Sequence, residues 1–227
     1  MTEQKKVLIV VTSCDRIDDN HPTGLWFEEF SVPYQEFLAK GFAVTVASPK
    51  GGKTPIDARS EPKSEQAEDS AQAWEALQHA HPLDTINADE FDAIFLPGGH
   101  GTMFDLPENT TLQQIIAQFA VANKVIAAVC HGPAGLVGVK QADGTPIVAN
   151  KTVTAFTNEE ESAVELDKLM PFLLETKLRE LGSKFIVKPN WTDHIEQDGK
   201  LITGQNPQSS SSVARAAIAA INQAKLL

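Results

Sequence analysis

Four short apolar runs, at 7–12, 42–47, 92–96 and 124–129, are separated by segments long enough to be helices. The first run is continuous and β-branched rather than alternating, which is the pattern of a strand buried on both faces. Between them, 25–40 reads as a helix closed by Gly41, a residue free to adopt the left-handed cap conformation. Residues 65–81 read as a polar helix with Trp74 and Leu77 turned inward, and 110–123 as a third helix. Further along, 152–155, 185–188 and 201–203 read as short strands. The segment 158–181 reads as mostly helical but broken at Pro171, and 206–224 as an Ala-rich closing helix. Residues 14–24 and 48–64 read as loops, and 141–150 as a turn or short hairpin around Asp143-Gly144. Such alternation predicts an α/β three-layer sandwich, a mostly parallel sheet with helices on both faces. No repeat, low-complexity tail or linker interrupts it, so residues 1–227 are expected to form a single domain.

Composition narrows the partners. The chain is 42% hydrophobic and 22% charged, as in ordinary globular proteins. A formal net charge of -11 argues against nucleic acid or an anionic membrane surface as the main partner. The two cysteines, Cys14 and Cys130, are expected to be free thiols in a reducing compartment. The apolar run 7–11 is too short for a secretory signal, and no stretch approaches the roughly 20 apolar residues of a membrane span. A cytoplasmic location follows as the expectation.

The stretch 124–135, KVIAAVCHGPAG, places chemistry on that scaffold. A buried strand runs into Cys130, then His131 and Gly132, and then a helix-compatible segment. This strand–corner–helix arrangement holds a nucleophile above the end of a sheet. A helix N-terminus there would favour the thiolate. Ligands of open α/β sheets sit at the carboxyl ends of strands. Gly98-Gly99-His100-Gly101 follows the third strand, and its glycines allow close approach of backbone N–H donors to a developing oxyanion. It lacks the Gly-Lys-Ser/Thr ending of a phosphate loop. Glu28 and Glu29 open the helix after the first strand. Helical spacing sets Glu29 on the apolar face with Leu25 and Val32, leaving Glu28 toward solvent. A buried Glu29 would stay protonated and exchange a proton with the sulfur. His131 needs an orienting acceptor, for which Glu159, Glu160 and Glu161 are candidates. For two of the three, an acidic first helical turn is the favoured alternative. His21, His100 and His194 read as lone polar or site-lining residues, and His79 and His81 as solvated. No Cys/His cluster has zinc spacing, so neither metal nor cofactor is expected.

These motifs, Ala127-Ala128-Val129-Cys130-His131-Gly132-Pro133-Ala134 and Leu96-Pro97-Gly98-Gly99-His100-Gly101, resemble the ThiJ/PfpI superfamily within the class I glutamine amidotransferase-like, flavodoxin-like fold. Thr23-Gly24 leading to Glu29 and Pro33, together with the stretch 154–161, resembles its branch of glutathione-independent glyoxalases and heat-shock-type chaperones. The resemblance implies Cys130 as nucleophile, Glu29 as the carboxyl residue that contacts it, His131 as the neighbouring histidine and Glu161 as that histidine's acidic partner. It also implies an oxyanion and substrate site from Gly98, Gly99 and His100, with the His131 amide. The implied activity is a cofactor-independent, glyoxalase III-type lyase (a D-lactate dehydratase). It would convert methylglyoxal and related small 2-oxoaldehydes to hydroxy acids, with deglycase activity beside it. A homodimer is implied as well. The competing readings are a cysteine peptidase or amidase of the same superfamily, and a non-enzymatic chaperone or oxidation sensor.

Overall fold

The computed structural model describes residues 4–62 and 67–223. Its centre is a seven-stranded sheet of β1 (Lys6–Val10), β4 (Ala43–Ser48), β5 (His81–Pro82), β6 (Ala93–Leu96), β7 (Val125–Val129), β10 (Ile195–Asp198) and β11 (Leu201–Gly204). The spatial order is β10-β11-β7-β6-β1-β4-β5. All pairings are parallel except β10 with β11. Two smaller sheets lie outside it, the antiparallel pair β2 (Arg16–Asp18) and β3 (His21–Pro22), and the parallel pair β8 (Thr152–Val153) and β9 (Lys184–Phe185).

The period-two geometry of strands divides the core between the two faces of the sheet. Val7, Ile9, Phe95, Ala127 and Val129 face one side, under α1 (Phe27–Ala39), α2 (Ala67–Ala76) and α7 (Ser210–Gln223). Leu8, Val10, Ile94, Leu96, Ile126 and Ala128 face the other, under α3 (Thr102–Asp105), α4 (Thr110–Val121) and α6 (Leu174–Glu180). Chain order reverses at β1: the next strands, β4 and β5, lie on one side of it, and β6 and β7 on the other. The crevice beyond the strand ends at such a reversal is where α/β folds bind ligands.

The expected helices at 25–40 and 110–123 occur as α1 and α4. Gly41, at φ 75°, ends α1 by donating to the Leu38 carbonyl at 2.8 Å. Pro33 lies inside α1. Its missing N–H is the one that would have bonded to the carbonyl of Glu29. In the polar segment 65–81, Leu77 is buried and Trp74 half-buried, while residues 65 and 66 lie outside the described residues. The segment 158–181 resolves into α5 (Asn158–Ala163) and α6, joined by turns around Pro171.

Several expectations are corrected. Residues 14–24 contain the β2–β3 hairpin rather than loop alone. The strand expected at 185–188 is the two-residue β9, paired with β8 outside the main sheet. Strand β10 was not legible, because Ile195, Glu196, Gln197 and Asp198 carry one apolar side chain among four. The helix expected after the cysteine is a five-residue 3-10 turn, Gly132–Leu136. Among the described residues, no helix is long and apolar enough to cross a membrane.

Candidate active site

Cys130 follows β7 directly and has φ 59°. A left-handed backbone at a non-glycine residue stores strain and is characteristic of functional corners. Two backbone bonds hold it: Cys130 N–H donates to the Gly204 carbonyl at 3.0 Å, and Phe156 N–H donates to the Cys130 carbonyl at 3.0 Å. The second bond lays the chain that leaves β8 alongside the corner, which is how α5 reaches it. Thr157 caps α5 by accepting from Glu160 N–H, and the Glu160 side chain returns a bond to Thr157 N–H. That capping box fixes the first turn, and Glu161 in it turns inward.

Around the sulfur the groups form a chain. Cys130 Sγ lies 3.3 Å from His131 Nδ1, and His131 Nε2 lies 2.6 Å from Glu161 Oε2. His100 Nε2 lies 2.7 Å from the other carboxylate oxygen, Glu161 Oε1. Arg59 Nη2 approaches His100 Nδ1 at 3.4 Å. A guanidinium can only donate, so this contact assigns the hydrogen of His100 to Nε2. The acceptor Glu161 likewise puts the hydrogen of His131 on Nε2, leaving the lone pair of Nδ1 toward the thiol. Burial, followed by repulsion from His131, pushes His100 down to about 4, so it stays a neutral imidazole. Burial alone would raise the Glu161 carboxyl. Attraction to His131 and hydrogen bonds from both imidazoles overcome that and hold it well below the usual carboxylate range.

Glu29 comes from α1 and is fully buried. Its Oε2 accepts from Gly98 N–H at 2.7 Å, while Oε1 has no partner within hydrogen-bonding geometry. The carboxyl and the Cys130 thiol are nevertheless close enough to shift one another. Burial pushes Glu29 up to about 8, partly offset by Cys130 and the Gly98 amide. A Cβ at Gly98 would sit 2.6 Å from His131 N and 2.7 Å from Glu29 Oε2, so only glycine lets these three groups converge. Because the Gly98 amide is committed to Glu29, it is not free for an oxyanion. The amide of Gly99 has no backbone acceptor among the described residues, and that of His131 is directed at the Cys130 sulfur.

The sequence suggested a thiol favoured as the thiolate. The structure corrects this: Cys130 is 3% exposed, and burial together with the neighbouring Glu29 pushes its thiol well above the usual value. The short 3-10 turn offers little helix dipole to oppose that. The resting cysteine therefore keeps its proton.

The cavity that reaches Cys130 holds about 260 Å³ and is lined by Trp26, Glu28, Glu29, Arg59, Gly99, His100, His131, Phe156, Val164, Trp191, Pro207 and Gln208. Of the expected residues, Glu29, Gly99, His100, Cys130 and His131 meet in it, and Glu161 stands behind the histidines. Glu159 is exposed, but Glu160 is as buried as Glu161, against the expectation of a solvated first turn. Cys14 lies apart, donating to the Arg16 carbonyl, and His21, His79 and His194 pair with Asp18, Glu75 and Glu196. His81 lies in β5 at the sheet edge. Arg59, Trp26 and Trp191 were missed, because loop residues carry no periodic signal.

Ligand atoms of His100, His131 and Glu161 lie within 4.8 Å of one another, a set able to hold a metal ion that the wide sequence spacing concealed. Here each imidazole Nε2 is hydrogen-bonded to its own oxygen of Glu161.

One prediction arises from Glu29. A carboxyl whose folded pKa is raised from the ordinary 4.5 to about 8 favours its protonated form in the folded state. The stability this gives is present below pH 4.5 and is lost as pH rises through 8. Glu29→Gln lacks the loss, so its stability relative to wild type should increase by a few kcal/mol between pH 5 and pH 8.5. Chemical denaturation across that range measures it, and a constant difference would show that Glu29 does not titrate in this window.

The mostly parallel α/β sheet thus carries a strained cysteine at a strand end, flanked by a carboxyl and a His–Glu pair. Residues 27–220 match the DJ-1/PfpI family, and the chain belongs to it. It is 37% identical to the glutathione-independent glyoxalase hsp3101 of Schizosaccharomyces pombe over 96% of each chain. Its fold matches glyoxalase III from Candida albicans with TM-score 0.87 and 27% identity, covering 95% of this chain and 97% of that one. It also matches the Rapid Encystment Protein 24 kDa of Francisella tularensis, with TM-score 0.91 and 36% identity, covering 96% and 99%.

Proposed function

We propose that this protein is a glutathione-independent glyoxalase that converts methylglyoxal and related 2-oxoaldehydes to hydroxy acids, lactate in the case of methylglyoxal. The observation that carries the reading is a nucleophile with a proton carrier on two flanks, Glu29 and His131, at the floor of a small cavity. His131 Nδ1 takes the thiol proton as Sγ bonds to the aldehyde carbon. The resulting oxyanion is stabilised by the amides of Gly99 and His131 and is protonated, giving a hemithioacetal. Removal of the hydrogen from that carbon gives an enediol, and return of a proton to the neighbouring carbon completes the 1,2-shift. Glu29 and His131 are the groups that carry it. The product is a thioester of lactate. Water cleaves its C–S bond, releasing lactate and restoring the thiol. The sum is methylglyoxal plus water to lactate.

A peptidase needs an extended trough, and this cavity is small. An oxidation sensor works best with an exposed thiolate, and this thiol is buried and protonated. A cytoplasmic setting and a homodimer complete the reading, resting on composition and family resemblance.

Purified protein is expected to form lactate of one chirality from methylglyoxal without added glutathione. No lactate, with hydrolysis of peptides instead, would replace this reading with the amidase one.

A further inference from the structure

Trp191 is a bulky residue with φ 65°, a conformation such side chains adopt only when their surroundings impose it. It is 41% exposed and lines the cavity over Cys130. Its ring lies 5.8 Å from that of Phe156, which in turn lies 4.4 Å from the His131 ring. What imposes the conformation is the fully buried carboxyl of Glu160, whose Oε1 accepts from Trp191 N–H at 2.9 Å. The same oxygen accepts from Asn206 Nδ2 at 2.8 Å and Gln205 Nε2 at 3.1 Å, while Oε2 accepts from Thr157 N–H at 3.1 Å. Asn206 Nδ2 also donates to the Thr192 carbonyl, and Gln205 binds both backbone groups of Lys188. One carboxyl thus ties the segment 188–192 and the chain leading to Pro207 onto the first turn of α5. The next residue on that turn is Glu161.

We propose that Glu160 is a positioning residue that holds Trp191 as the outer wall of the substrate cavity, and that this wall sets the length of the side chain a 2-oxoaldehyde can carry. The inference rests on the glyoxalase reading. The reacting carbons occupy the floor between Cys130 and the amides of Gly99 and His131, so the substituent on the ketone carbon must point outward, toward the indole. A three-carbon substrate leaves the wall uncrowded, and a longer alkyl chain collides with it.

The test compares kcat and KM for methylglyoxal and 2-oxohexanal, without glutathione. Trp191→Gly removes the ring and accepts the left-handed backbone without strain. It should shift the kcat/KM ratio toward 2-oxohexanal by about tenfold or more, the scale at which pockets discriminate chain length. For methylglyoxal, KM should rise more than kcat falls. Glu160→Ala should shift the ratio in the same direction, and Glu160→Gln, which restores a carbonyl oxygen to the donors, should reverse most of the shift. If Glu160→Ala does not fold, Glu160→Asp withdraws the acceptor from Trp191 and serves the same comparison. An unchanged ratio in Trp191→Gly overturns the wall. A shift in Trp191→Gly with equal losses on both substrates in the Glu160 variants overturns the positioning role. The wild-type enzyme separates the two levels: no lactate from methylglyoxal would sink the glyoxalase reading itself, whereas lactate formation alongside an unmoved ratio in Trp191→Gly sinks only this inference.

Discussion

Cys130→Ser should abolish lactate formation from methylglyoxal, with a loss on the order of 10⁵–10⁶-fold, the scale seen when the nucleophile of a nucleophile–base–acid unit is removed. The expectation follows from the resting state of the site. Burial and Glu29 already keep the Cys130 proton in place, so attack depends on transfer to His131 Nδ1 at 3.3 Å. A serine hydroxyl is a weaker acid than a thiol, and the same burial would raise it further. Its oxygen is also smaller than sulfur and would stand farther from Nδ1. The fold should survive, since serine keeps the Cβ and therefore the same left-handed strain at φ 59°. Lactate production is the readout, with a thermal melt as the control. Unchanged turnover would remove Cys130 from the role of nucleophile.

Glu161→Gln should lower kcat by about 10²–10⁴-fold, with a smaller effect on KM. Glu161 accepts one hydrogen bond on each oxygen, from His131 Nε2 at 2.6 Å and from His100 Nε2 at 2.7 Å. A glutamine amide offers one acceptor and one donor, so one imidazole must turn its hydrogen elsewhere. If the amide nitrogen faces His131, the hydrogen moves to Nδ1 and points at the sulfur, which leaves no base for the thiol. If it faces His100, the hydrogen moves to the nitrogen that meets Arg59, and two donors oppose one another at a contact now 3.4 Å long. Steady-state kinetics at several pH values test this. A rate equal to that of the wild type would mean that the Glu161 carboxylate contributes nothing to the reaction beyond the single acceptor a glutamine retains.

Local features of this protein were legible because they are set by a few neighbouring residues. The continuous apolar runs within 7–12, 92–96 and 124–129 can be satisfied only by burial on both faces, so β1, β6 and β7 were readable. Cys130 and Gly98 announced themselves because a sharp corner and a close approach each depend on one residue's backbone. Glu29 was separable from Glu28 because the 3.6-residue period of α1 sends one inward. The pairing of Glu161 with His131 came through resemblance to a family and not from spacing, which left three adjacent glutamates open. Strand β10 was hidden because an edge strand, bonded on one side and facing solvent, has no need of an apolar pattern.

By itself, then, the sequence determined the parallel sheet, the strand-end corner that carries Cys130 and the face of α1 that carries Glu29, since each depends on local periodicity or one backbone conformation. Only the tertiary structure decided that Glu161 would take two imidazoles, that Arg59 and Trp191 would reach the cavity, and that the thiol would be sealed and protonated. Those outcomes depend on distances between residues far apart in the chain and on how much water is excluded around them, and both are properties of the packed whole.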